Sequence, residues 1–242
     1  VFLFAVICIT NLVYRRINRL LLNNMCMLIG IGLIMVSRLN MDKALRQFKI
    51  IVVSYVICMF VPFAVAKLKC LSKLAWVYCG LGILPLALVL VLGETTLGSK
   101  LSFTVNGITF QPSEMVKILF VLFLASALSC SISFVNVSIT AIAAAAHIVI
   151  LVFSKDLGSA LIFTVTFILI VFVATRNYWY LLAGLAASSC ASVIAFRLFT
   201  HVRIRILAWT NPWTYIDNQG YQITQSLFAI GSGSWFGMGL YQ

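Results

Sequence analysis

The chain has 242 residues, of which 63% are hydrophobic and 9% charged, with a mean hydropathy of +1.11. A soluble domain needs a solvated, charged surface that this composition does not provide, so the chain reads as an integral membrane protein. Its net charge of +12, from 17 Lys and Arg against five Asp and Glu, does not indicate nucleic acid: the cations are scattered over the breaks between apolar stretches and form no basic stripe with interleaved aromatics.

A membrane-spanning helix needs roughly 20 mostly apolar residues. In chain order the sequence offers a partial span at 1–13 and full spans at 21–37, 47–66, 75–92, 114–131, 136–153, 157–175 and 179–199. The expected fold is all-α, a polytopic transmembrane helix bundle forming one integral membrane domain over 1–242. Residues 200–242 are expected to be a large polar loop carrying an amphipathic or re-entrant helix. The chain begins at Val1 inside an apolar run and ends at Gln242 in a glycine-rich stretch, so it is expected to be a piece of a longer protein. Val1–Val13 has no basic region before it and no small-residue cleavage site after it, and reads as a truncated span rather than a signal peptide.

Clusters such as Arg15, Arg16 and Arg19, or Lys67, Lys69 and Lys73, fit anionic headgroups at a cytoplasmic face. Placing them inside sends the breaks 38–46, 93–113, 154–156 and 200–242 outward, and 130–135 and 176–178 inward. Charge counting alone does not decide this. With Arg176, seven cations fall inside, whereas nine fall outside: Arg38, Lys43, Arg46, Lys49, Lys100, Lys155, Arg197, Arg203 and Arg205. Leaving out the three arginines around the last loop as candidate substrate ligands makes the comparison seven to six.

The seven cysteines have no CxxC pairing and mostly lie within or at the ends of spans, as small lipid-buried hydrophobes do. With two histidines and no cluster at metal-ligand spacing, no metal site is expected, and no cofactor.

Candidate chemistry falls on four short motifs. In Gln111-Pro112-Ser113-Glu114, Pro112 suits the extreme start of a helix, and Ser113 and Glu114 complement the exposed amides there. Lys117 lies three residues beyond Glu114, on the same helix face. Pairing offsets part of the roughly 2.5–3.5 kcal/mol that an unpaired charge costs at mid-membrane on insertion scales. A capped helix with a snorkelling lysine needs no function; a polar wall opening outward is the functional alternative. The tight break Ser154-Lys155-Asp156 puts Asp156 at a helix start, and Gly158, Ser159 and Ala160 permit close helix approach; a simple capped hairpin explains these residues equally well.

The third motif is Arg203 and Arg205 followed by Trp209, Asn211-Pro212-Trp213 and Tyr215. Headgroup anchoring with an interfacial aromatic belt accounts for it, as does a bidentate grip on phosphate oxygens. The fourth is Asp217-Asn218-Gln219-Gly220-Tyr221-Gln222, continuing to Gln225, Ser226 and Ala229-Ile230-Gly231-Ser232-Gly233. Gln222, Gln225 and Ser226 recur at helical spacing opposite Ile223, Leu227 and Ile230, and such polarity at membrane level usually lines a cavity.

In this order and on this span count, the motifs resemble the SEDS family of shape, elongation, division and sporulation proteins, the RodA/FtsW/SpoVE type, over roughly residues 21–242. The most specific pieces are the Gln-Pro-Ser-Glu run with Lys117, the stretch Asp156–Leu161, and the run from Arg203 to the glycine-rich end. The resemblance implies a ten-span glycosyltransferase of the bacterial cytoplasmic membrane. Such an enzyme polymerises lipid II, an undecaprenyl-diphosphate-linked disaccharide peptide, beside a class B penicillin-binding transpeptidase. It implies Asp217 as the catalytic carboxylate of the extracytoplasmic loop. Arg203, Arg205, Lys117, Glu114, Gln111, Ser113, Lys155, Asp156, Tyr221, Gln222, Gln225 and Ser226 become candidate substrate-binding residues.

Two features depart from the family pattern. Thr214, Tyr215 and Ile216 separate the Asn-Pro-Trp from the acid, which in many members follows more closely. Leu101 and Ser102 stand after Gly98-Ser99-Lys100 where Arg-Trp is frequent. Two further readings come from other classes: a lipid II flippase or other amphipathic-anion transporter using Glu114, Lys117 and His147 as a pathway, and a scaffold for a transpeptidase.

Overall fold

A computed structural model describes the backbone of the chain except residues 15–16, 68–71, 97–98, 106–107, 218–219, 236 and 240–242; the side chains of 66 and 94–110 are likewise not described. Arg15, Arg16, Lys69, Cys70, Gly98, Asn218 and Gln219, which figured in the sequence reading, therefore lie outside the described residues, as does the Lys100 side chain. The helices are α1 (Phe2–Val13), α2 (Arg19–Leu39), α3 (Met41–Lys67), α4 (Ala75–Leu92), α5 (Pro112–Cys130), α6 (Phe134–Phe153), α7 (Leu157–Thr175), α8 (Tyr178–Leu198), α9 (Thr200–Thr210) and α10 (Tyr221–Gly233). Seven of them, α2 to α8, are long and apolar enough to cross a membrane, as expected from the sequence.

Three departures from that expectation concern the connections. The break read at 38–46 shrinks to Asn40: the α3 helix starts at Met41, and the Asn40 side chain accepts a hydrogen bond from the Lys43 amide at 3.0 Å, capping it. Between α4 and α5, residues read only as an outward break form a three-stranded antiparallel sheet of β1 (Glu94–Thr96), β2 (Ser99–Val105) and β3 (Ile108–Phe110), with Thr96 opposite Ser99 and Phe103 opposite Phe110. Among the described residues, strands are confined to this connection. The sequence carried its signal in the alternation of Leu101, Phe103 and Val105 and in the Asn-Gly pair that follows. The third departure is α9, an 11-residue helix in what read as loop.

The chain divides into two compact units, Val1–Leu68 with Phe228–Gln242, and Lys69–Leu227. In the first, α1 packs on α2, and α2 on α3. Thr10 and Tyr55 share a hydroxyl hydrogen bond of 2.9 Å, the Tyr14 hydroxyl donates to the Met59 carbonyl, and the Phe2 and Phe48 rings meet edge to face.

In the second unit the antiparallel helices α4 to α7 pack around one core, with α8 laid against α7. The centre of that core is aromatic. Phe120, Phe123 and Phe163 are buried, with Phe120 and Phe163 centroids 4.5 Å apart. His147 is wholly buried among them, its ring centroid 5.3 Å from that of Phe120 and 6.1 Å from that of Phe123. Its Nδ1–H donates to the Ala143 carbonyl one turn back, at 2.9 Å. Gly82 on α4 makes the room: a Cβ there would lie 2.6 Å from His147 Nε2. Of the described cysteines, Cys26 and Cys79 are buried and Cys8, Cys58, Cys130 and Cys190 lie on helix surfaces, all as free thiols.

Gly82→Ala is expected to destabilise the protein by about 1–3 kcal/mol, because the phenylalanine wall leaves the His147 ring nowhere to move. Gly80→Ala, two residues away on the same helix with nothing within 4 Å of the added carbon, should be neutral or gain up to about 1 kcal/mol from helix propensity. Thermal unfolding in detergent measures the contrast, and His147→Ala in the Gly82→Ala background should recover part of the loss. Equal melting of the two alanine variants would contradict this packing account.

Candidate functional site

Alternation of α4 to α8 brings the α4–α5 sheet, the α6–α7 turn and the start of α9 to the same end of the second unit, the end that the sequence reading sends outward. Each carries candidate residues.

At the start of α5, Pro112 occupies the first helical turn as expected. The cap differs from the sequence reading, because Gln111 is the N-cap and makes no side-chain capping bond. Its amide nitrogen donates instead to Ser113 Oγ at 3.0 Å, and Ser113 is buried. One turn in, Lys117 Nζ lies 2.7 Å from Glu114 Oε2, the i,i+3 pair that the spacing predicted. The lysine is 30% exposed and the glutamate 61%, so the pair sits on the surface of the unit, one turn below the helix end.

The α6–α7 turn is built by its own hydrogen bonds. The Lys155 and Asp156 amides donate to the Val152 and Leu151 carbonyls at 3.0 and 2.9 Å, with Lys155 in the left-handed region at φ 64°. Asp156 caps α7 through Oδ1, which accepts from the Ser159 amide at 3.1 Å. Asp156 Oδ2 is buried and makes no hydrogen bond to a described residue. Phe153, at the end of α6, meets Phe199, at the end of α8, edge to face at 5.3 Å, which clamps this turn to the start of α9.

On α9, Arg203 and Arg205 are two residues apart and so present different faces. Arg203 folds back over the end of α8: Nη2 donates to the Arg197 carbonyl at 3.1 Å and the guanidinium stands 5.9 Å from the Phe196 ring centroid. Arg203 is thus engaged with the end of α8. Burial, and after it the charges of Lys155 and Arg205, hold the His201 ring below the ordinary histidine range. His201 was not a sequence candidate. Its signal was available in the i,i+4 spacing to Arg205.

After α9, Pro212–Tyr215 form a 3-10 turn. Thr214, Tyr215 and Ile216, the residues that lengthen the interval before the acid, are spent in this turn and the step after it, and Asp217 follows, exposed. Gly220 closes the turn: its amide donates to the Tyr215 carbonyl at 2.9 Å, and a Cβ there would lie 2.7 Å from that oxygen and 2.8 Å from the Pro212 carbonyl oxygen. Only glycine fits against two backbone oxygens. The α10 helix then starts at Tyr221, anchored by Thr224, which is fully buried and donates to the Gly220 and Tyr221 carbonyls. Tyr221, Gln222, Gln225 and Ser226 are exposed, and Ser226 Oγ bonds the Gln222 carbonyl of its own helix. The expected helix is there, with its polar side chains exposed.

Comparison with known proteins identifies the family. A family model described as cell cycle protein, of the FtsW/RodA/SpoVE type, matches residues 18–242. The peptidoglycan glycosyltransferase RodA of Mycobacterium leprae is 30% identical over 91% of this chain and 53% of its own length. A probable peptidoglycan glycosyltransferase FtsW of Alcanivorax borkumensis is 32% identical over 75% of this chain and 49% of its own. The chain thus spans about half the length of these relatives. A solved structure described as "Structural coordination of polymerization and crosslinking by a peptidoglycan synthase complex" aligns with a TM-score of 0.55 at 25% identity, covering 96% of this chain and 64% of that one. Seven apolar spans among the described residues and this kinship make it a multi-pass protein of the bacterial cytoplasmic membrane. A match over nearly the whole chain, on a fold with the same helical plan, means that it belongs to the FtsW/RodA/SpoVE family of cell cycle proteins.

Proposed function

We propose that this chain is part of a peptidoglycan glycosyltransferase that polymerises lipid II into glycan strands and works beside a class B penicillin-binding transpeptidase. The observation that carries the reading is membership of the FtsW/RodA/SpoVE family over residues 18–242, in a chain that sets a Glu114–Lys117 ion pair at the start of α5 and the exposed carboxylate of Asp217 after the 3-10 turn. A polyprenyl diphosphate is an anionic leaving group held at the membrane surface, and cations fixed there offset the charge it gains as it departs. In the step, the 4-hydroxyl of one lipid II attacks the anomeric carbon of the growing strand. The new glycosidic bond forms as the bond to diphosphate breaks, the diphosphate leaves with the electron pair, and Asp217 takes the hydroxyl proton.

The transporter reading asks His147 to relay protons. Its burial among phenylalanine rings and its hydrogen bond within its own helix suit packing instead.

Asp217→Asn keeps the size and hydrogen bonding of the side chain but removes the base. In the full-length protein with its transpeptidase, glycan formation should fall by about 10²–10⁴-fold while lipid II binding stays near normal. Polymer made at close to the wild-type rate would sink the assignment.

The two arginines are expected to differ. Arg205→Ala should weaken turnover at subsaturating lipid II by roughly tenfold, with only partial rescue by Lys because the planar fork is lost. Arg203→Ala should cost less, since that guanidinium is engaged with the end of α8. Equal losses in the two variants would show that α9 does not sort them as described.

A further inference from the structure

At the end of the second unit opposite to the α6–α7 turn, the last turns of α5 and α7 leave an open groove of about 430 Å³ between them. Ala125, Leu128 and Ser129 line it from α5 and Ile132 from the connection to α6, while α7 contributes residues between Leu169 and Ala174. Positions 125, 128, 129 and 132 form one helical stripe, and 169, 170, 173 and 174 another. Behind the groove, Leu128 packs with Val137 of α6 and Val171 of α7. Ser129 carries the one hydroxyl of the lining, and it donates to the Ser126 carbonyl at 2.9 Å. The groove therefore offers a ligand almost only hydrocarbon.

Its length selects the occupant. From Ala125 to Ile132 a helix rises about 10 Å, within one leaflet of a hydrocarbon core roughly 30 Å thick. Every lining residue belongs to the C-terminal half of its helix or lies just beyond it. A partner's spanning helix would follow α5 and α7 across the whole bilayer, where the groove gives it no seat. A single acyl chain reaching in from the headgroups matches a groove that begins at the helix ends and does not pass mid-membrane.

The mouth of the groove carries a cation. Arg176 follows Ala174 by two residues, is exposed, and forms no salt bridge among the described residues. It caps α7 in the left-handed region at φ 54°, a conformation that glycine adopts with less strain. Neither connection at this mouth, 131–133 or 176–177, contains an acid. The α6 helix starts at the same end without a side-chain cap, so the positive end of its dipole adds to the field. Tyr178 and Trp179 are exposed at the start of α8, as aromatics are at headgroup level.

We infer that the α5–α7 groove is a binding site for an anionic phospholipid of the leaflet at this end, the end that the sequence reading sends inward. One acyl chain lies between the helices, and the headgroup phosphate sits on the Arg176 guanidinium, whose planar fork can hold two phosphate oxygens at once. The site is separate from the face that bears Asp217 and does not depend on glycosyl transfer.

Photo-crosslinking tests it. The full-length protein in nanodiscs receives a trace of phosphatidylglycerol or of phosphatidylcholine, each with the same diazirine-bearing acyl chain, and labelled residues are mapped by mass spectrometry. Labelling at 125–132 and 169–174 should exceed that at Ile139 and Leu182, which are exposed about one turn inside the same membrane face on α6 and α8. It should be roughly fivefold stronger with phosphatidylglycerol, the scale of one basic residue at an anionic surface. Arg176→Gln should bring the two lipids to parity. Ala174→Trp, which fills the groove, should abolish labelling there and leave Ile139 and Leu182 labelled as before. Even labelling of all these positions shows only the lipid that surrounds any spanning protein and overturns the inference, as does a headgroup preference that survives Arg176→Gln. A groove left unlabelled because a protein helix covers it overturns it too. If Ala174→Trp does not fold, Arg176→Gln, a change at an exposed position, decides by the same headgroup comparison.

Discussion

Inside the hydrocarbon layer no water is available to a free amide or carbonyl, so a spanning chain must close its backbone hydrogen bonds within each segment. That constraint writes most of this fold. Hydroxyls within the spans bond back to carbonyls four residues earlier, as Thr140 does to Asn136 and Thr164 to Ala160. Helix starts, where amides are left over, take side-chain caps from Asn18, Asp156 and Asn177. Irregular backbone with chemistry to offer is left to the helix ends, and there the α4–α5 sheet, the left-handed turn at Lys155 and the 3-10 turn before Asp217 are found.

Those ends are held by a core that does not yield. Gly82 lets α4 come within contact of His147, and Phe120, backed by Phe163, and Phe123 close around the ring. A buried histidine in a membrane helix invites a functional reading. Here it is the shape of the ring, received by a glycine on the facing helix, that the packing uses. A rigid set of α4 to α7 is what a site at their outer ends requires, since a displacement of about 1 Å in a catalytic group costs orders of magnitude in rate.

Two arginines precede Asp217 on α9, and geometry sorts them. Their i,i+2 spacing sends the Arg203 guanidinium back over Phe196 and the Arg197 carbonyl and leaves Arg205 on a different face of the helix. Charge counting failed to orient this chain because some of its cations answer to local packing, as Arg203 does at the end of α8 and Lys117 beside Glu114, as well as to the membrane potential and headgroups that underlie the positive-inside rule.

The spans were legible in the sequence because a bilayer demands one thing of about 20 consecutive residues, and local composition answers it. The helix starts at Pro112 and Asp156 and the Glu114–Lys117 pair were legible for the same reason: neighbours within one turn decide them. Asp217, Lys155 and Arg205 stood out as rare charged residues in an apolar chain. What the sequence did not carry was which turns are held together. His201 went unnoticed because the Phe199 ring it packs on is itself met by Phe153, far away in the chain. The hairpin at Asn40 and the strands at 94–110 were lost because short connections have too few residues for hydropathy to register. Which turns share an end of the bundle is a tertiary fact, produced by antiparallel helices that return distant turns to one end and by contacts such as Phe153 on Phe199, which hold the α6–α7 turn to the end of α8.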